Sequence, residues 1–232
     1  MKKNLTQKKY IKVNLIQPKY SKVKIQYKNL KIFGPAVLKV KIPDEIIKKL
    51  NDYIDEVVKD ENKSKNLNLG ESLAGDVTQE FFLENEFAKS CGWLDFIANC
   101  TKIFIEINEG KKIKSFNLMR SWVVRQFQNE YNPVHWHSGH VSGAGFLKLP
   151  QTFGKHTQDK QNKQYHGGKL ELIHGTKQFL SESVFKITPE VGDFYLFPHY
   201  MMHTVYPFKN TKDERRSISF NAKVDDEAFN VY

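Results

Sequence analysis

Cysteine is scarce in this chain: Cys91 and Cys100 are the only two among 232 residues. That is too few for a disulfide framework, and both fall in the apolar, helix-like stretch "FAKSCGWLDFIANC", where they read as buried thiols of a reducing compartment. Long apolar runs are missing as well. None approaches the ~20 residues that cross a bilayer, and the opening "MKKNLTQKKYIKVNLIQ" has no apolar stretch of ~7–15 residues behind its charges, so neither a membrane span nor a secretory signal is expected. The expected location is the cytoplasm. Acidic residues are absent from positions 1–32, which hold ten lysines, while the other 200 positions carry 26 basic and 26 acidic side chains. The net charge of +10 therefore sits at the N-terminus. Such an arm is able to bind nucleic acid or an anionic surface. In "SKVKIQYKNLKIF", however, its lysines alternate with Val, Ile and Tyr, which describes a strand with one solvated face. No zinc-finger, helix-turn-helix or RNA-recognition signature accompanies them.

What is present suffices for one core, with 40% hydrophobic and 13% aromatic residues at a length routine for one mainly-β domain. "PAVLKVK" (35–41) alternates as a half-buried strand. Pro43 and Asp44 then open a helix with Ile46, Ile47, Leu50, Ile54, Val57 and Val58 on one face. Residues 60–72, polar and Asn-rich, read as a loop. A second helical region runs from about Glu84 to Ile107, broken near Gly92 and closed by Gly110. Beyond it the pattern changes to six short strands: "KSFNLMRSWVVRQFQ", "GAGFLKLP", "GKLELI", "ESVFKITP", "GDFYLFP" and "RRSISFNAKV". Such a series implies an antiparallel sandwich or barrel. Residues 151–167 interrupt it with a polar loop of no regular pattern.

Histidine is concentrated where these strands meet. "YNPVHWHSGHVSG" (131–143) puts His135, His137 and His140 within six positions, and in an extended segment His135 and His137 share a face while Trp136 points away. Such a pair either grips a metal or decorates a solvated surface. A second cluster, "FPHYMMHTVYPF", holds His199 and His203. The "TVYPF" after His203 continues as a strand, whereas His199 follows Pro198 in a connecting loop, so His203 is the stronger candidate. In "DERRSISFNAKV" Arg215, Ser217 and Ser219 share one face and Arg216 the other. An arginine two positions before a hydroxyl offers a fork and a neutral donor for a carboxylate; alone, the segment also reads as an edge strand with ordinary surface charge.

In this order, "EYNPVHWHSGHVSGAGFLKLP", "GGKLELIHG", "VGDFYLFPHYMMHTVYPF" and "RRSISFNA" resemble the 2-oxoglutarate and iron(II)-dependent oxygenases, especially their bacterial and phage branch. The resemblance spans residues 66–222. It implies a mainly β fold with flanking helices around a double-stranded β-helix, the jelly-roll core shared with cupins. It implies iron(II), 2-oxoglutarate as cosubstrate and room for ascorbate as a reductant, in the cytoplasm of a bacterium or a phage-infected cell. By position His135 matches the family's first ligand, His137 occupies the place of its carboxylate, and His203 matches the last histidine. The chain departs from the family there, since two imidazoles and one carboxylate are the usual set and three histidines also serve zinc hydratases. Glu171 or Asp193 is the alternative source of the missing charge. Arg215 and Ser217 match the anchor for the distal carboxylate of 2-oxoglutarate, with Tyr131 and Asn117 as further hydrogen-bonding candidates. His140 is a reserve ligand; His156, His166 and His174 are expected facing solvent or behind the ligands.

The resulting expectation is an oxygenase-like domain over residues 1–232: a basic strand or arm (1–32), helical support (33–110) and the β-helix core (111–225). Its activity is hydroxylation of an unidentified small molecule, peptide or nucleobase, with release of succinate and carbon dioxide. Segments 61–72 and 151–167 are candidate lids. The competing classes are a cupin-like metal-binding or isomerase protein, which has no need of the arginine anchor, and a nucleic-acid-binding protein using the N-terminal lysines.

Overall fold

The computed structural model describes residues 26–31, 34–158 and 163–229. Most of the basic arm, residues 1–25 and 32, lies outside the described residues. The part that is described, β1 (Tyr27–Lys31), is a strand paired antiparallel with β2 (Ala36–Lys41).

Helices α1 (Asp44–Lys59), α3 (Asn85–Ser90) and α4 (Trp93–Glu109) form where the periodicity places them. α1 starts at Pro43, which tolerates the first turn because its missing N–H has no helical partner, with Asp44 and Glu45 at the positive end of the helix. Gly92 (φ 91°) separates α3 from α4, and Gly110 (φ 67°) ends α4, both in the left-handed region that other residues rarely enter. Residues 60–72 depart from the loop expectation. They form α2 (Glu61–Leu67) and a 3-10 turn at Gly70–Ser72, because the Asp60 carboxylate accepts from Lys63 N–H and caps the helix while Leu67 is buried.

The strands are β3 (Gln79–Phe82), β4 (Phe116–Gln126), β5 (Asn132–His135), β6 (Val141–Lys148), β7 (Leu170–Ile173), β8 (Val184–Ile187), β9 (Asp193–Pro198), β10 (Met202–Val205) and β11 (Arg215–Val224), before a short α5 (Asp226–Phe229). They build a seven-stranded sheet in the order β1-β2-β9-β6-β11-β4-β3 and a four-stranded sheet in the order β5-β10-β7-β8, with every pairing antiparallel. The six strands expected after residue 110 are all present; β3, β5 and β10 add to them. The two sheets are those of the expected double-stranded β-helix.

The period of two along β11 separates the layers. Ile218, Phe220 and Ala222 join the cluster formed with Ile46, Leu50 and Ile54 of α1 and Trp93, Phe96 and Cys100 of α4. Arg215, Ser217 and Ser219 face the other sheet, where Phe146, Leu170, Leu172, Phe197 and Val205 form the inner core. The "GAGF" of β6 follows from this packing. A Cβ on Gly145 would lie 2.4 Å from the Phe194 ring and 2.6 Å from the Asp193 carbonyl, so only glycine lets Phe194 lie flat there and stack on Phe220, 5.9 Å away. Both cysteines are buried free thiols, as expected. No described helix is long and apolar enough to cross a membrane.

Candidate metal centre

β5 and β10 are neighbours, and their register sets His135 directly opposite His203. After β5 the chain stays extended because His137 N–H donates to the His199 carbonyl at 3.0 Å. The two-residue period then returns His137 to the side of His135, while Trp136 between them is 65% exposed. Ring centroids lie 4.2 Å apart for His135–His203, 4.6 Å for His137–His203 and 5.2 Å for His135–His137. Each residue offers one ligand nitrogen, and these three atoms all lie within 4.8 Å of one another.

Hydrogen bonds decide which nitrogen is free. His135 Nδ1 donates to the Pro133 carbonyl at 2.7 Å and His203 Nδ1 to the Met201 carbonyl at 2.9 Å, so Nε2 of each keeps its lone pair. His137 Nδ1 is buried with no partner. Trp122 packs edge-on against His137 and Phe197 against His203, with centroids 5.2 Å away in both cases. Burial, then the neighbouring imidazoles His203, His135 and His199, press the pKa of His137 down to about 2. Burial, then His135, takes His203 to about 3. Burial lowers His135 too. All three are neutral bases at ordinary pH, the form a cation requires. The orphaned nitrogen and the convergent lone pairs fit a divalent ion.

The histidines line a cavity of about 390 Å³ between the sheets, and Arg215 and Ser217 line it as well. The Arg215 guanidinium, 2% exposed, donates from Nε to the Gly168 carbonyl (3.0 Å) and from Nη1 to Ser217 Oγ (3.2 Å), and lies 5.1 Å from the centre of the Phe146 ring. It makes no ion pair among the described residues, and burial draws its pKa down to about 9. A buried cation without a counter-charge carries a desolvation cost that a bound anion offsets. β11 lies between β6 and β4, so the edge-strand reading of this segment is overturned.

A family model described as "Putative 2OG-Fe(II) oxygenase" matches residues 120–221, a span that holds the three histidines, Arg215 and Ser217. Over that span the chain is similar to the 2OG-Fe(II) oxygenases. Solved structures share the fold of this chain at low identity. A prolyl-4-hydroxylase from Pseudomonas putida matches with a TM-score of 0.51 at 12% identity, covering 84% of this chain and 91% of its own. AviO1 from Streptomyces viridochromogenes gives 0.52 at 13%, covering 82% and 90%. A prolyl hydroxylase from Trichoplax adhaerens, in complex with a hypoxia inducible factor peptide fragment, gives 0.50 at 13%, covering 83% and 84%. No curated protein sequence matches the chain.

Several sequence-based candidates fall outside the histidine-lined cavity. Asp193 is fully buried but bonds Lys39 and Lys41 of β2 at 2.6 Å each, and Glu171 on the outer face of β7 holds His166 at 2.5 Å. Neither carboxylate reaches the histidines, so the cluster is three imidazoles alone among the described residues. Tyr131 points away because its neighbour Asn132 faces the cavity and the two alternate; its backbone is bridged to Asp76. Asn117, exposed and paired with Lys223, sits where β4 has run past the cavity wall. His140 accepts from Val224 N–H at 3.1 Å and stacks on Phe229 at 3.8 Å. His156 meets the Lys163 carbonyl at the surface, and His174 N–H donates to the Ser183 carbonyl beyond the end of β7. Of the two proposed lids, the described part of 151–167 does not line the cavity, whereas Ser72 does, tied by Arg120 at 3.2 Å, and the bordering stretch runs on to Gly75. Among the cavity groups that escaped the sequence reading are Glu80, which is 1% exposed, and Asn132.

Proposed function

We propose that this chain is an iron(II)- and 2-oxoglutarate-dependent dioxygenase in which His135, His137 and His203 hold the metal and Arg215 with Ser217 holds the far carboxylate of the cosubstrate. The observation that carries the reading is the unpaired, buried Arg215 guanidinium in the wall of the same cavity as the three imidazoles. A dicarboxylate chelated at one end needs a fixed cation at the other to set its distance and orientation, and an isomerase of cupin type has no use for one. Bound iron(II) would supply the oxygen chemistry that converts 2-oxoglutarate to succinate and carbon dioxide while one oxygen atom enters a substrate C–H bond.

The chain's own residues do the positioning. Pro133 and Met201 carbonyls fix the tautomers of His135 and His203. Gly168 and Phe146 hold the Arg215 fork in one plane with a free edge. Trp122, Phe146 and Leu170 give the cavity dry walls. The test is an anaerobic titration of the protein with iron(II) and 2-oxoglutarate, followed by the visible charge-transfer band of the chelate, and by succinate release in air. A band that forms in the wild type and is lost in Arg215→Ala supports the reading. Absence of the band, or a band insensitive to that substitution, sinks it.

A further inference from the structure

β11, β4 and β3 are adjacent, and their registers put Ser217 opposite Val124 and Val124 opposite Glu80. The three therefore form one row across the cavity floor, with Glu80 two strand spacings, about 10 Å, from Ser217. Glu80 is buried, and its Oε2 has no hydrogen-bonding partner. Its Oε1 and Asn132 Oδ1 lie side by side against Gly75: a Cβ on that residue would sit 2.7 Å from Glu80 Oε1 and 2.9 Å from Asn132 Oδ1. Two acceptor oxygens are thus neighbours in the cavity wall. No lysine, arginine or histidine pairs with Glu80 among the described residues. The charged group that acts on it is Glu130, of its own sign, and burial followed by Glu130 raises its pKa to about 7.

A cavity with an unpaired guanidinium at one end and an unpaired carboxyl at the other is complementary to two different ligands. The dicarboxylate cosubstrate is drawn to Arg215 and repelled from Glu80. We propose that Glu80 and Asn132 anchor the substrate through an ammonium or guanidinium group, so that the substrate of this oxygenase is an amine-bearing molecule. Such a group brings three to five N–H donors to acceptors that lack any, and it neutralises a buried charge, the more stringent of the two requirements. Leu73, Ala74 and Trp122, which also border the cavity, supply apolar surface for the stem that carries the cation.

This inference rests on the oxygenase reading, and one experiment separates the two. The full-length protein is loaded with iron(II) and 2-oxoglutarate without oxygen, and the charge-transfer band is recorded before any probe is added. Agmatine, n-butylguanidine and n-pentylamine are then titrated against uncharged n-butylurea and 1-pentanol, with the band shift as the binding readout and probe-stimulated succinate formation in air as the second. At least one cationic probe is expected to bind tenfold or more tightly than both uncharged probes, and Glu80→Gln, of equal shape, to bring that difference within threefold. No band at all removes both proposals. A normal band that no cationic probe shifts, or a preference below threefold, overturns the amine proposal alone. So does a preference that survives in Glu80→Gln. Should that variant misfold, the wild-type comparison of charged and uncharged probes decides by itself.

Discussion

Arg215 and Arg216 are joined by one peptide bond, yet their guanidinium groups lie in different layers of the protein. Arg216 points to the helices, bonding Glu214 at 2.5 Å, Asp55 at 2.6 Å and both the side-chain and backbone oxygens of Asn51 at 3.0 Å. Arg215 points between the sheets and meets a carbonyl and a hydroxyl but no carboxylate. The charge of one is neutralised within the fold, and that of the other meets no carboxylate among the described residues.

Arg215→Met is expected to weaken 2-oxoglutarate binding by 30-fold or more, roughly the 2–5 kcal/mol of a buried charge pair broken on one side. The melting temperature without ligand should stay level or rise, because an uncompensated buried cation has been removed. Calorimetric titration and thermal melts on one sample check both.

Arg216→Met should do the reverse. It leaves Glu214 buried with only Arg125 and the more distant Lys148 as cations, for a loss of about 3–5 kcal/mol, while 2-oxoglutarate affinity of the folded protein changes less than threefold. Urea unfolding with and without cosubstrate separates the two effects.

His137→Asp replaces a neutral donor by a negative one where the family usually carries a carboxylate. Iron(II) retention against a competing chelator is expected to improve at least tenfold, from the added attraction between opposite charges in a poorly solvated site. Equal or weaker retention would show that the cavity is shaped for three imidazoles.

Glu80 makes stability depend on pH. Its folded pKa of about 7 exceeds the ordinary 4.5, so the folded state binds the extra proton between those values, and stability falls as pH rises through that window. Glu80→Gln should flatten the fall and be more stable than wild type above pH 7 by about 3 kcal/mol. Denaturant midpoints at pH 5 and pH 8 for both proteins measure it.

Much of this was legible in the sequence where a pattern ran long enough. α1 is written in the spacing from Ile46 to Val57, and the layers of β11 in its alternation. His203 was separable from His199 because "TVYPF" reads as a strand, of which β10 keeps Thr204 and Val205, whereas Pro198 places its neighbour in a turn. α2 was hidden because Leu67 is its one buried residue, leaving no amphipathic stripe, and its stability comes from a cap and packing. Glu80 was hidden because "TQEFF" is three polar residues followed by two apolar ones, with no period of two to mark a buried face. Only the fold places Asn132 and the chain at Gly75 over it. Asp193 illustrates the converse: chemistry suited to a ligand, with its oxygens already held by Lys39 and Lys41.

β5 is four residues long, lies at the sheet border and touches β10 through just two registered pairs, one of them His135 with His203. In the proposed assignment the ion acts as a rivet through that seam, fastening a marginal ribbon to the strand beside it. Chelation would then free the Val134 and His135 amides for deuterium exchange and bare an edge to which a second chain can add. Under that assignment iron starvation would act twice, as lost turnover and as a tendency to self-associate.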